Sequence, residues 1–99
     1  MERYRLSWIQ STSDFANKQE VRAQINGAAD ISLAANLIMT VNSVEYDFPT
    51  DASVNWWVVT TDDTGTKTAK SADNLFQAVN LATLEPATGL TATWVAHLP

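Results

Sequence analysis

The side chains in this sequence that could do chemistry are few and widely spaced. His97 is the only histidine, and there is no cysteine. The absence of cysteine excludes disulfides, thiol catalysis and thiolate metal sites. A single histidine near the end of the sequence also argues against a Ser-His-Asp site or a multi-histidine metal site. We expect His97 to be an outward residue on the last strand.

Two pairs of carboxylates are the next candidates. Glu45 and Asp47 lie two residues apart on an alternating stretch, and such a pair can hydrolyse glycosides where a cleft raises one pKa. Neither has apolar neighbours on its own face, so we expect an ordinary polar surface. Asp62 and Asp63 could offer oxygens to calcium, but calcium takes six to eight ligands and no matching acidic turn is near. We therefore expect a solvated hairpin turn, no metal, no cofactor, no catalytic residue and no enzymatic activity.

Trp57 is the residue whose type most suggests recognition. It follows Trp56 directly, and successive side chains of a strand point to opposite faces. One of the two indoles should therefore face away from the core, and the sequence does not decide which one. An outward Trp57, with Val59 on the same face, would suit a subunit contact or a carbohydrate-stacking platform. The candidate interaction surface comprises Trp57, Val59, Asp62, Asp63 and Thr64.

Composition limits the classes of partner. The 99 residues, 45% of them hydrophobic, predict one globular domain, and the net charge of -5 disfavours nucleic acid as a partner. We find no basic amphipathic stretch for a membrane surface and no apolar run near ~20 residues. The first residues lack the apolar run of a cleavable signal peptide. We expect the protein in the cytoplasm of the producing cell or in a virion.

Alternation of apolar and polar residues predicts strands along most of the chain. The predicted strands are Arg3 to Gln10, Lys18 to Asn26, Ser43 to Phe48, Val54 to Thr61 and Leu90 to His97. Thr66 to Ala69 can begin a return strand that Leu75 to Val79 continues. Asn26-Gly27 and the turn from Asp62 to Gly65 mark hairpins. Helices remain an alternative for 28–39, which is rich in Ala and Leu, and for 73–82, which has an N-cap residue.

Taken in order, these segments resemble a bacterial or phage fibronectin type III module. Leu6-Ser7-Trp8 is similar to its strand B, Lys18 to Asn26 to strand C, Ser43 to Phe48 to strand E, Val54 to Gly65 to strand F with its turn, and Thr68 to Val79 to strand G. One departure is Val54, which stands where the family usually has a Tyr. The resemblance implies an all-β, antiparallel, two-sheet sandwich of the immunoglobulin/fibronectin type III kind. The core that it implies contains Trp8, Val21, Ile25, Tyr46, Trp56 and Val58.

Strand order is the larger departure from the family. The chain begins at strand B, and its A-like strand comes last, so the module is circularly permuted. The whole chain, 1–99, is then one domain with strands B to G in 1–80, a connector in 81–89 and the A-like strand in 90–99. A missing strand A would expose the edge of strand B. The last strand could fold back onto its own strand B or exchange into a neighbour, and the exchange segment would be Leu90, Ala92 and Trp94.

These observations predict a structural or interaction module. We expect a small phage virion or surface-assembly component, acting as a decoration, cement or tail-associated protein through protein–protein contacts. Its partners would be copies of itself or a capsid or tail protein. The alternative is a module that binds a glycan or a host surface through Trp57 or the loop from Asp62 to Thr66.

Overall fold

The structure, a computed structural model, describes residues 1–82 and 86–99. These residues contain seven strands and no helix. Every strand pairing is antiparallel. The prediction of an all-β, antiparallel protein is therefore confirmed. The strands are β1 (Glu2–Ser7), β2 (Ala16–Ile25), β3 (Ile31–Ile38), β4 (Ser43–Phe48), β5 (Ala52–Asp62), β6 (Thr68–Lys70) and β7 (Asn74–Ala78).

The two segments for which helices were an alternative are strands instead. Residues 28–39 contain β3 and residues 73–82 contain β7. β3 pairs with β2 after a tight turn in which Asn26 and Gly27 have φ angles of 54° and 72°. Because Asn and Gly tolerate positive φ, this turn can return the chain beside β2. Nowhere in the described ranges is there a helix of the length and apolarity needed to cross a membrane.

The strands form two sheets. The smaller contains β1 and β4, and the larger has the order β3-β2-β5, with β6 and β7 both pairing with the other edge of β5. Ser71 bridges the gap between β6 and β7, since its Oγ accepts a hydrogen bond from the Val58 N–H at 2.9 Å and its N–H donates to the Val58 carbonyl at 2.8 Å. β6 and β7 therefore act as one interrupted return strand, as predicted.

The two sheets pack against one common core, an arrangement compatible with a β-sandwich. Of the core that the resemblance implies, Val21, Trp56 and Val58 are buried, and Trp8, Ile25 and Tyr46 are partly buried against them. Burial of a large apolar side chain contributes roughly 1.5–3 kcal/mol to stability. The smaller sheet supplies Leu6 and Phe48 to this core, and the larger supplies Val21, Ala23, Ala52, Val54, Trp56, Val58 and Ala78.

Polar side chains tie the two sheets together at opposite ends. At one end the side chain of Gln19, only 1% exposed, accepts from the Trp8 indole N–H at 2.7 Å. Its amide nitrogen donates to the carbonyls of Ile38 at 3.1 Å and Val41 at 2.8 Å. At the other end the Tyr4 hydroxyl donates to the Val79 carbonyl at 2.8 Å. The chain therefore leaves β7 beside the first half of β1.

The C-terminal segment differs from the expected last strand. Residues 86–99 have no strand, and all are exposed. Within the described residues β1 pairs only with β4, and no strand from 86–99 lies beside it in this structure. The connector predicted for 81–89 falls partly on Thr83–Glu85, which lie outside the described residues.

Candidate interaction surface

A groove opens between the two sheets beside the end of β1. Its first part has a volume of about 210 Å³ and is lined by Trp8, Ile9, Val58, Thr60 and Ala69, among others. The side chains of Val58 and Thr60 lie on the inward face of β5. Ala69 lies directly opposite Thr60 on the edge strand β6. The groove therefore leads from the outer edge of the molecule into the shared core.

A second cleft of about 220 Å³ continues the groove past Phe15 and shares Ser11, Thr60 and Ala69 with the first. We call the two together the β1–β6 groove. Its rim carries Ile9, which is 97% exposed, and Phe15, which is 55% exposed. Because the two parts share lining residues, the groove runs from Trp8 past Phe15 to Thr68.

The C-terminal segment carries the matching pattern. We call residues 90–98 the apolar tail, because every second residue from Leu90 to Leu98 is apolar, and 86–99 contain no Asp, Glu, Lys or Arg. Leu90 is 84% exposed, and Trp94 and Leu98 are each 79% exposed. Only Val95 interrupts the alternation in 90–98, and one largely apolar face is the pattern of a strand that is covered on one side. In the single chain nothing covers that face among the described residues.

Trp57 does not offer an open indole. Trp56 points into the core, and Trp57 points to the outer face of the larger sheet, yet each is only 8% exposed. The Lys70 ammonium lies 4.8 Å from the centre of the Trp57 ring, a cation–π contact. Val59, on the same face, is half-buried. A sugar ring would have to displace the lysine before it could stack on Trp57.

Asp62 has a structural role in the turn between β5 and β6. One carboxylate oxygen accepts the N–H groups of Thr66 at 3.0 Å and Lys67 at 3.1 Å, and the other accepts the Thr64 hydroxyl at 2.9 Å. The backbone hydrogen bond from Lys67 is the largest cause that lowers the Asp62 pKa, against an opposing effect of desolvation. Asp63 and Thr64 are exposed, whereas Asp62 is buried. The turn is formed as predicted, but Asp62 is not solvated.

The outward carboxylates of β4 are held by arginines of β1. The Arg3 guanidinium lies 2.7 Å from Asp47, and Arg5 lies 2.9 Å from Glu45, each directly opposite its partner in the register. The hydrogen bond from Arg3 lowers the pKa of Asp47. A general acid of a glycosidase needs a raised pKa, so Asp47 has the opposite tendency.

Metal-ligating side chains are scattered. Across 1–82 and 86–99 no three His, Asp or Glu side chains approach closely enough to hold a metal ion. His97 is exposed in the C-terminal segment.

Sequence reasoning missed two parts of this surface. Gln19 has the same register on β2 as the buried Val21 and Ala23, so the alternation already placed a polar side chain inward. Ile9 gave no such signal, because the sequence predicts it on the outward face of a strand that runs to Gln10, whereas β1 ends at Ser7. Phe15 lies in the turn before β2. Only the packing of the two sheets reveals that they border one groove.

Comparisons with known proteins identify no relative: no family model, no curated protein and no solved structure matches this chain.

Proposed function

We propose that this chain is a non-enzymatic interaction module of the fibronectin type III kind, with its strand A displaced to the C-terminus, that acts through protein–protein contacts in a larger assembly. The strand order supports this reading. In the larger sheet the neighbours β2, β5 and β6–β7 correspond to strands C, F and G of the family. In the smaller sheet the neighbours β1 and β4 correspond to strands B and E. The place beside β1 that strand A would take is vacant among the described residues.

The apolar tail is the observation that carries the proposal. Exposed apolar patches mark interaction sites, because leaving such surface in water costs free energy that a partner recovers. Here the exposed surface has the period of a strand, and the β1–β6 groove beside an unpaired edge has the shape to receive one. Both features serve contact with another chain.

A virion or surface assembly is the setting we propose, with the chain as a decoration, cement or tail-associated component. A module of this kind is present in many ordered copies, so it should be a stoichiometric component of purified particles from its source. Quantitative mass spectrometry of those particles measures this directly. The absence of the protein from particles would contradict the virion setting.

A pair of tail variants tests whether contact through the tail carries the function. Trp94→Asp places a charge on the apolar face, whereas Thr93→Asp places the same charge on the opposite face. We expect Trp94→Asp to be lost from particles and Thr93→Asp to be retained. Equal retention of the two variants would contradict a role for the apolar face.

A further inference from the structure

We propose that the partner of the apolar tail is a second copy of this chain, in which the tail pairs antiparallel with β1 and places Leu90, Ala92 and Trp94 in the β1–β6 groove. This inference rests on the proposed function, for which it names the partner and the site. The resulting contact is head-to-tail, so each copy donates a tail to one neighbour and accepts a tail from another.

The acceptor is the unpaired edge of β1. Among the described residues β1 bonds only β4, so its other edge presents free N–H and C=O groups that an added strand can pair. The inward side chains of β1 are Tyr4 and Leu6, followed by Trp8 at the mouth of the groove. A strand added there would direct alternate side chains over Ala69 and toward Val58.

The donor fits this edge in length and in chemistry. The apolar tail has nine residues, 90–98. With Leu90, Ala92 and Trp94 in the groove beside Trp8 and Ile9, residues 95–98 can pair with the adjoining end of β1. Its alternate apolar residues would face the apolar members of a mixed lining, namely Trp8, Ile9, Phe15, Ala16, Val58 and Ala69. Each copy has a net charge of -5, but the tail brings no charged side chain to the contact, so like-charge repulsion there is small.

The path of the chain favours a neighbour over its own groove. The chain leaves β7 next to Tyr4, at one end of the molecule. The groove opens at the other end, where Trp8 bonds Gln19 and Gln19 pairs with Thr60 of β5. Ala78, at the end of β7, pairs with Ala52 of β5. From Ala52 to Thr60 is eight residue steps along β5, so the two ends are roughly 26 Å apart. Residues 80–89 reach about 33 Å when fully extended, and fold-back would also require a reversal of direction at each end of this path.

A neighbour requires no such reversal. A tail that continues away from the Tyr4 end of one copy meets the Trp8 end of the next copy, where an antiparallel partner of β1 must begin. This contact joins two different surfaces, and contacts of that kind produce open chains or closed rings.

Two complementary variants of the full-length chain test the inference. Trp94→Asp disables the tail and leaves the groove intact, whereas Ala69→Arg places a long charged side chain in the groove and leaves the tail intact. Ala69 and Trp94 are both exposed, so neither change should disturb the fold. Thr93→Asp on the other face of the tail and Ala35→Arg on the exposed part of β3 are the matched controls.

Sedimentation velocity of the separate and mixed variants gives the readout. We expect each disabled variant alone to sediment as a single chain, and an equimolar mixture to form a pair of chains and nothing larger. Both controls should assemble as the unmodified chain does. A mixture that stays single, or an unmodified chain that is single at every concentration, would overturn the inference.

Failure here and failure of the proposed function are distinguishable. A chain that does not self-associate, but whose presence in particles still depends on Trp94, has a different protein as partner, and only the self-exchange is overturned. A chain whose disabled variants complement each other, but which is absent from particles, keeps the exchange and loses the virion setting.

Discussion

β5 and the apolar tail are both rich in strand-forming residues, yet β5 is a central strand of the larger sheet and the tail forms no strand. β5 lies between β2 and the β6–β7 edge, and its Trp56 is 8% exposed, whereas Trp94 of the tail is 79% exposed. Strand periodicity states which face of a segment can be covered. Whether the segment becomes a strand depends on pairing with the edge of another strand, and no strand in the described part of its own chain pairs with the tail.

The strongest test of this comparison is the same substitution in both regions. Trp56→Ala removes a buried indole whose N–H donates to the Asn74 side chain at 3.0 Å, and we expect a loss of about 3–5 kcal/mol in the free energy of unfolding. Trp94→Ala should change it by less than about 0.5 kcal/mol, since its side chain is exposed. Urea unfolding at concentrations low enough to keep the chains separate measures both. Similar losses for the two variants would show that the tail is packed in the single chain.

Gln19 provides the next largest effect, because it ties the two sheets together where the groove begins. Gln19→Leu leaves the Trp8 N–H and the carbonyls of Ile38 and Val41 without this partner. We expect a loss of about 1–3 kcal/mol in unfolding free energy. Gln77→Leu, at an exposed position of β7, is the control and should change little. An equally small loss for Gln19→Leu would mean that the groove end of the body does not depend on this tie.

Acid should weaken the end of β5 through Asp62. The folded chain lowers the Asp62 pKa, so between that lowered value and the ordinary carboxyl pKa of about 3.9 the unfolded state binds more protons. The contribution of Asp62 is therefore complete above the ordinary value and is lost as the pH falls through the folded value. The tail contains no carboxylate side chain that could add to this effect.

The measurement compares urea midpoints at about pH 7 and about pH 3, which bracket the ordinary carboxyl pKa. We expect Asp62→Asn to be less stable than the unmodified chain at the higher pH and to lose less on acidification. Asp63→Asn, at the exposed neighbouring position, should keep the full acid-dependent loss. If Asp62→Asn kept it as well, the hydrogen bonds of the turn would not be its source.

The smallest effect is expected on the outer face of the smaller sheet. Arg5 and Glu45 form an ion pair at 2.9 Å with side chains 68% and 46% exposed. Exposed pairs of this kind contribute about 0.2–1 kcal/mol, so Arg5→Ala should lower the unfolding free energy only slightly, and less in high salt. A larger loss that salt does not reduce would mean that packing of the arginine stem on the outer face of the sheet, rather than the ion pair, supplies the stability.

The sequence predicted the body of the fold well, because buried strands have a strong period. β4 has the predicted bounds, and the interrupted strand formed by β6 and β7 was also foreseen. Trp56 and Trp57 could not be told apart, since both lie in an apolar run on a central strand. The groove could not be predicted either, because it depends on how two sheets pack and on residues outside the strands, such as Ile9. For the tail, the pattern identified the apolar face but not the molecule that covers it.

The most direct test of the account is the solution mass of the full chain and of a chain that ends at Glu85, measured by light scattering over a range of concentrations. We predict that the full chain forms an oligomer whose mass rises with concentration, and that the shortened chain is a folded monomer. A full chain that is monomeric throughout, together with a shortened chain that aggregates, would contradict the account, because the tail would then complete the sandwich of its own chain.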